Sequence, residues 1–155
     1  MRFSMRFPLV CGLTLACALA VPPSARHGWA ADMPASTTAP DLTKVRALLK
    51  AKNYDAAIVQ LRGLIGTQHP DVYNLMGFAL RKSGDQAQGM AYYNRALELD
   101  PNHKGALEYQ GQLFVELGQP DRARANLARL QKLCSSGCEE LTDLREAIAR
   151  APKPR

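Results

Sequence analysis

The chain has 155 residues, with 20 Lys and Arg against 14 Asp and Glu and a formal net charge of +6. Arg2, Arg6 and Arg26 lie in the first 30 residues, where there is no acid, so the remainder carries only +3. The other basic residues are interleaved with acids, which excludes the footprint of a nucleic-acid binder, and the roughly 110 residues between the two ends leave room for one domain and no second.

Residues 1–30 read as an export leader. Arg2 and Arg6 precede an apolar run from Leu9 to Val21 that only Gly12 and Thr14 interrupt, and Gly28-Trp29-Ala30 puts small residues where a signal peptidase reads. The run is about 13 residues long, short of the roughly 20 that span a bilayer as a helix, which favours a cleavable signal peptide over a retained anchor. The expectation is a periplasmic or secreted protein cut after Ala30, with Ala20 as the other position open. Cys17, after Thr14-Leu15-Ala16, is loosely similar to a lipoprotein attachment site, but threonine stands where that pattern wants leucine. Residues 31–40, rich in Pro, Ala, Ser and Thr, read as a flexible linker. Residues 151–155 hold two prolines that forbid a continuing helix and read as a disordered tail.

Between these ends no segment alternates apolar and polar residues as a half-buried strand does. Helical spacing recurs instead, through Leu42, Val45, Leu48 and Leu49, then Ala57, Ile58, Leu61, Leu64 and Ile65, then Tyr73, Met76, Gly77 and Leu80. It continues through Gly89, Tyr93, Ala96 and Leu97, through Leu107, Gly111, Phe114 and Leu117, through Ala123, Leu127 and Leu130, and through Leu141, Leu144 and Ile148. Each set is one helix face, so seven short helices are predicted.

Four pairs, Gly77 with Gly111, Leu80 with Phe114, Gly84 with Gly118 and Tyr93 with Leu127, are all 34 residues apart, and a fixed period means a repeat. The stretch DVYNLMGFALRKSGDQAQGMAYYNRALELDPN resembles a tetratricopeptide repeat nearly from end to end. Tyr73, Gly77 and Leu80 match its first helix, Gly84-Asp85 its turn, Tyr93 and Ala96 its second helix, and Asp100-Pro101 its boundary. Gly77, Gly89 and Ala96 have a packing reason, since paired helices approach closely only where one side chain is nearly absent. Gly89 departs from the alanine usual in the family. The flanking repeats are more degenerate: Leu130 stands where alanine is preferred, Val45 replaces the small residue of the first helix, and the first boundary loop is two residues shorter.

The resemblance implies an all-α, right-handed superhelical stack of antiparallel helix pairs. Its three repeats fall at about 41–69, 70–103 and 104–137, with a capping helix at about 138–150. Glu139, Glu140 and Asp143 early in that last helix and Arg145 and Arg150 late in it complement a helix dipole, and Ser136 with Glu139 has the form of a capping box.

Cys134 and Cys138 bracket the turn before the cap. In an exported chain such a pair reads as a structural disulfide, with a thiol-redox or metal-handling role as the alternative. The three residues between them argue against a thioredoxin-like motif. His69 and His103, also 34 apart, read as solvated loop residues without ligand spacing. No catalytic constellation, cofactor or metal is expected.

In this family the first helix of each pair lines the concave face. The open positions here are Leu42, Arg46 and Leu49, then Asn74, Phe78 and Arg81, then Glu108, Gln112 and Val115. Phe78 is either an aromatic anchor or a cover for the neighbouring repeat. Some members grip the carboxylate tail of chaperones with a lysine and asparagine clamp, but Leu42 and Arg46 stand at its first two positions here, so that activity is not carried over. The expected function is a non-enzymatic adaptor or assembly factor that binds a protein or peptide in the groove. Phe78→Ala or Arg81→Glu is expected to abolish capture without changing the fold.

Overall fold

A computed structural model describes residues 39–151; the expected signal peptide, Cys17, nearly all of the linker and residues 152–155 lie outside the described residues. Seven α-helices follow one another: α1 Thr43–Lys50, α2 Tyr54–Arg62, α3 Pro70–Lys82, α4 Gln86–Leu99, α5 Lys104–Glu116, α6 Pro120–Leu133 and α7 Glu139–Arg150. Among the described residues there is no strand, and one 3-10 turn, Ile65–Thr67, extends the second helix. Leu64 and Ile65 therefore lie beyond α2, yet both still pack half-buried on the core shared by α1, α2 and α3, as their spacing predicts. Helices pack in consecutive pairs, α1 on α2, α3 on α4 and α5 on α6, while α3 meets α5 and α5 meets α7 along one side. This is the all-α stack of helix pairs that the repeat spacing implies.

Each pair turns in three residues, and the turns share one geometry. Gly84 and Gly118 take φ of +102° and +69°, the left-handed region that closes a helix C-terminus, and Lys52 holds φ 58° at the matching place in the first pair. The last residue of each of the first two turns caps the next helix: Asn53 accepts from the Ala56 N–H and Asp85 from the Gln88 N–H. His69 and His103 are not solvated loop residues. Each accepts a backbone N–H through Nδ1, from Asp71 and Ala106 respectively, and so caps α3 or α5. Their 34-residue spacing is the spacing of helix starts.

The small residues sit where they are needed. A Cβ at Gly77 would lie 2.7 Å from the Tyr93 ring and 3.0 Å from the Gly89 carbonyl, so α3 and α4 touch through backbone there. A Cβ at Gly111 would meet the Leu144 side chain at 2.6 Å. Leu144 therefore fills the space that the 34-residue register assigned to Leu127, which is only half-buried. One core joins α1 to α3 through Val45, Ala57, Leu61, Val72 and Met76; another joins α5 to α7 through Leu107, Leu130, Cys134, Leu141 and Leu144.

Two local expectations are corrected. Leu42 is 6% exposed and belongs to the first core together with Val45 and Ala57, instead of opening on the groove. Ser136 does not cap α7. The helix begins at Glu139 with Cys138 in extended geometry at its N-cap and no side-chain cap, because the chain reverses at Gly137 (φ +94°) and Cys138 is tethered to Cys134.

A groove across the first helices

The concave side is built by α1, α3, α5 and α7, whose facing side chains enclose an open cavity of about 310 Å³. From α1 comes Arg46, and from α3 come Asp71, Asn74 and Leu75. His103, Gly105, Glu108 and Tyr109 line it at α5, and Glu139, Glu140 and Asp143 at α7. The same register runs through this wall: Asp71, Gly105 and Glu139 are 34 residues apart in turn, as are Leu75, Tyr109 and Asp143. So α7 does more than shield a core. It stands in the register of a first helix, and its acids face the groove as well as the helix dipole.

Of the residues expected at the open face, Arg46, Asn74 and Glu108 come together in this cavity. Arg46 is exposed at the rim, with its guanidinium 3.6 Å from the Asp71 carboxylate. Asn74 and Glu108 are each only 5% exposed. Gln112, half-buried one turn further along α5, donates to Glu108 Oε1 at 2.8 Å. Leu49 packs half-buried on the first core, and Val115 is half-buried.

Phe78 lies on the shoulder of the cavity. Its ring centroid is 4.9 Å from that of Tyr109 on the next repeat and 6.4 Å from that of Tyr54, and Lys82 Nζ lies 5.7 Å above it. The ring does the covering that was one of its two expected roles, and it stays half-buried against Tyr109, which lines the cavity.

Arg81 is not an open groove residue. Its side chain is 4% exposed and reaches across to α5, where Nε and Nη2 donate to the two carboxylate oxygens of Glu116 at 3.1 and 2.7 Å. Nη2 also donates to Gln112 Oε1 at 3.0 Å and Nη1 to the Tyr109 carbonyl at 3.3 Å. It is a brace between two repeats, so Arg81→Glu cannot leave the fold unchanged: it would bury a carboxylate against Glu116. Burial would raise the Glu116 carboxyl, but the Arg81 hydrogen bond and charge outweigh it and hold that group below the usual carboxylate range.

Glu108 shows the opposite balance. Burial first, and then the charges of Asp143, Glu140 and Glu139, push its carboxyl up to about 8, against a lowering contribution from Arg81. Asp71 is satisfied, since His103 Nε2 sits 2.8 Å from its Oδ1; with His103 Nδ1 accepting a backbone N–H, the ring proton lies on Nε2 and is donated to Asp71. The Asn74 Oδ1 is buried without a hydrogen-bond partner.

Cys134 and Cys138 are joined by a disulfide with a Cα–Cα distance of 5.7 Å that ties the end of α6 to the start of α7. Cys134 is buried against Leu107, Leu130 and Leu141. Glu140 comes within ligand distance of the two sulfurs, but with both committed to the disulfide they are not available to a metal. The bond also holds Glu139, Glu140 and Asp143 in the groove wall.

Sequence reasoning missed Asp71, Leu75, His103, Gly105, Tyr109 and the three acids of α7 as groove residues. The signal is in the period itself, which reaches α7 as well as the first helices of the three repeats.

Paired helices in a stack, with first helices sharing one groove, define a helical-repeat interaction module. A family model described as tetratricopeptide repeat matches residues 70–103, and a second with the same description matches residues 92–125. Residues 70–125 thus carry tetratricopeptide repeats, a class of repeat that generally mediates protein–protein interaction. Among curated proteins none matches this chain.

Proposed function

We propose that this protein is a non-enzymatic adaptor or assembly factor, exported to the periplasm by a leader cut after Ala30, that binds an extended peptide segment of a protein partner in its groove. The observation that carries the reading is the open cavity shared by four first helices, with the half-buried Phe78 and Tyr109 rings on its shoulder. Aromatic rings partly buried at a concave surface supply anchoring area at little entropic cost. Arg46, Asn74, Phe78, Glu108 and Gln112 face the partner in this reading, and Arg81 holds α3 and α5 at the spacing they require. No helix among the described residues is long and apolar enough to cross a membrane.

A photo-crosslinking amino acid placed at Gln112 should trap a partner from an envelope extract, and the same group at Arg124, on the exposed side of α6, should not. Phe78→Ala should reduce trapping while the thermal transition stays cooperative. Equal trapping at both positions refutes the groove reading. Mass spectrometry of the exported protein should find Ala31 at its N-terminus; an intact leader refutes the export reading.

A further inference from the structure

The groove is lined by five carboxylates, and four of them lack a cation. Asp71 is paired with His103 and Arg46. Among the described residues Glu108, Glu139, Glu140 and Asp143 make no ion pair, although they come from two helices and converge on one cavity. Within this wall the Asn74 carboxamide is 95% buried and its Oδ1 has no hydrogen-bond partner. Across from it Gly105 supplies no side chain: a Cβ there would stand 3.0 Å from the Asn74 amide. Glu108 Oε1 is occupied by Gln112, and no donor is bound to Oε2. Buried polar atoms in folded proteins are almost always paired, so the unpartnered, buried Asn74 amide beside an open acidic wall points to a ligand that donates.

We propose that the groove receives a basic side chain of the partner, arginine in preference to lysine, carried on an extended segment. This rests on the reading of the groove as a peptide site and specifies the partner's chemistry. The free acceptors are carboxylate oxygens and an amide oxygen, and Tyr109 adds an aromatic face at the edge of the same cavity. A guanidinium answers all of these, with five N–H donors in a planar fork and a face that stacks on aromatic rings. A metal ion answers them less well. The one triad of candidate ligands among the described residues whose donor atoms lie within 4.8 Å of one another is Cys134, Cys138 and Glu140, at the disulfide. The groove carboxylates are therefore spread along the cavity instead of focused on a point, which suits a branched, many-donor cation. At about 310 Å³ the cavity is at the small end for ligand sites, enough for a side chain or two and too small for a helix. Without the cation, repulsion among the acids is relieved by protonation, the state toward which burial and the α7 charges drive Glu108.

The test pans a random peptide library displayed on phage against the full chain and against a Glu140→Gln, Asp143→Asn double variant. Both substituted residues are at least partly exposed on α7, and a matching thermal transition confirms the fold. Arginine should be enriched at one position with the parent and not with the variant. For a selected peptide, replacing that arginine by norleucine should weaken binding about tenfold. The double variant should lose a similar factor, and the two losses should not add. Selected peptides that lack a basic residue yet need Phe78 for binding overturn the cation inference and leave the groove reading standing. If no peptide is selected and Gln112 crosslinks to nothing, both fall. Free arginine, spermidine or calcium chloride binding as tightly as the selected peptide overturns the assignment to a peptide side chain.

Discussion

Replacing Glu108 by glutamine should make the unliganded protein more stable, by an amount that grows with pH. In the unfolded chain this carboxyl ionises near 4.5, and in the folded chain it holds its proton to about 8. The proton is therefore bound in the folded state and absent from the unfolded one between those values. Stability falls as pH rises through that window, by at most about 1.4 kcal/mol for each pH unit. The interval from 4.5 to about 8 gives a ceiling of about 5 kcal/mol. The groove is open to water and Arg81 and Arg46 lie nearby, so we expect a realised gain of about 2 kcal/mol, a rise of about 9 °C in Tm for a domain of this size. Glutamine keeps the acceptor that Gln112 uses and removes the charge that faces Glu139, Glu140 and Asp143. Thermal unfolding followed by circular dichroism from about pH 5 to about pH 8.5 should show parent and variant nearly together at the acid end and diverging as pH rises. A variant that is less stable throughout, or offset by the same amount at every pH, refutes the argument that Glu108 is buried against uncompensated acids.

Arg81→Ala should cost about 3–5 kcal/mol, because it leaves Glu116 and Gln112 without the guanidinium that crosses between repeats; chemical denaturation measures it, and a loss under about 1 kcal/mol contradicts the brace. Gly77→Ala should destabilise by about 2 kcal/mol or more, since a Cβ 2.7 Å from the buried Tyr93 ring forces α3 and α4 apart. Cys134→Ser removes a short covalent loop worth about 2 kcal/mol and should fray α7, seen as loss of amide-exchange protection over Glu139–Arg150 with the rest of the stack still protected. Since α7 carries three of the groove acids, that substitution should also weaken binding of an arginine-bearing peptide.

Much of the fold was legible in advance. Helix faces show in the spacing of Leu61, Met76 or Leu107 because the α-helix repeats over short range, and Gly77, Gly84, Gly111 and Gly118 mark close contacts and turns at a constant step. The resemblance that these residues carry was enough to place the groove on the first helices. The errors lie where one side chain's environment is set by another far along the chain. Arg81 was read as open because nothing near it in sequence says that Glu116, 35 residues on, will close over it. Leu42 was read as open because helix phase alone does not fix how the chain enters α1. Ser136 matches a capping pattern, but the tether between Cys134 and Cys138 starts the helix elsewhere.

By itself, then, the sequence determined the class of this protein. Hydrophobic period and glycine spacing are local properties, and they specify paired helices stacked at a 34-residue step whatever lies on their surface. Only the tertiary structure decided the character of the groove. Its charge is a sum over side chains from helices far apart in the chain, and the +6 of the whole chain says nothing about it. The fold gathers Asp71, Glu108, Glu139, Glu140 and Asp143 on one face and withdraws Arg81 into the interior, which makes an acidic groove in a basic protein.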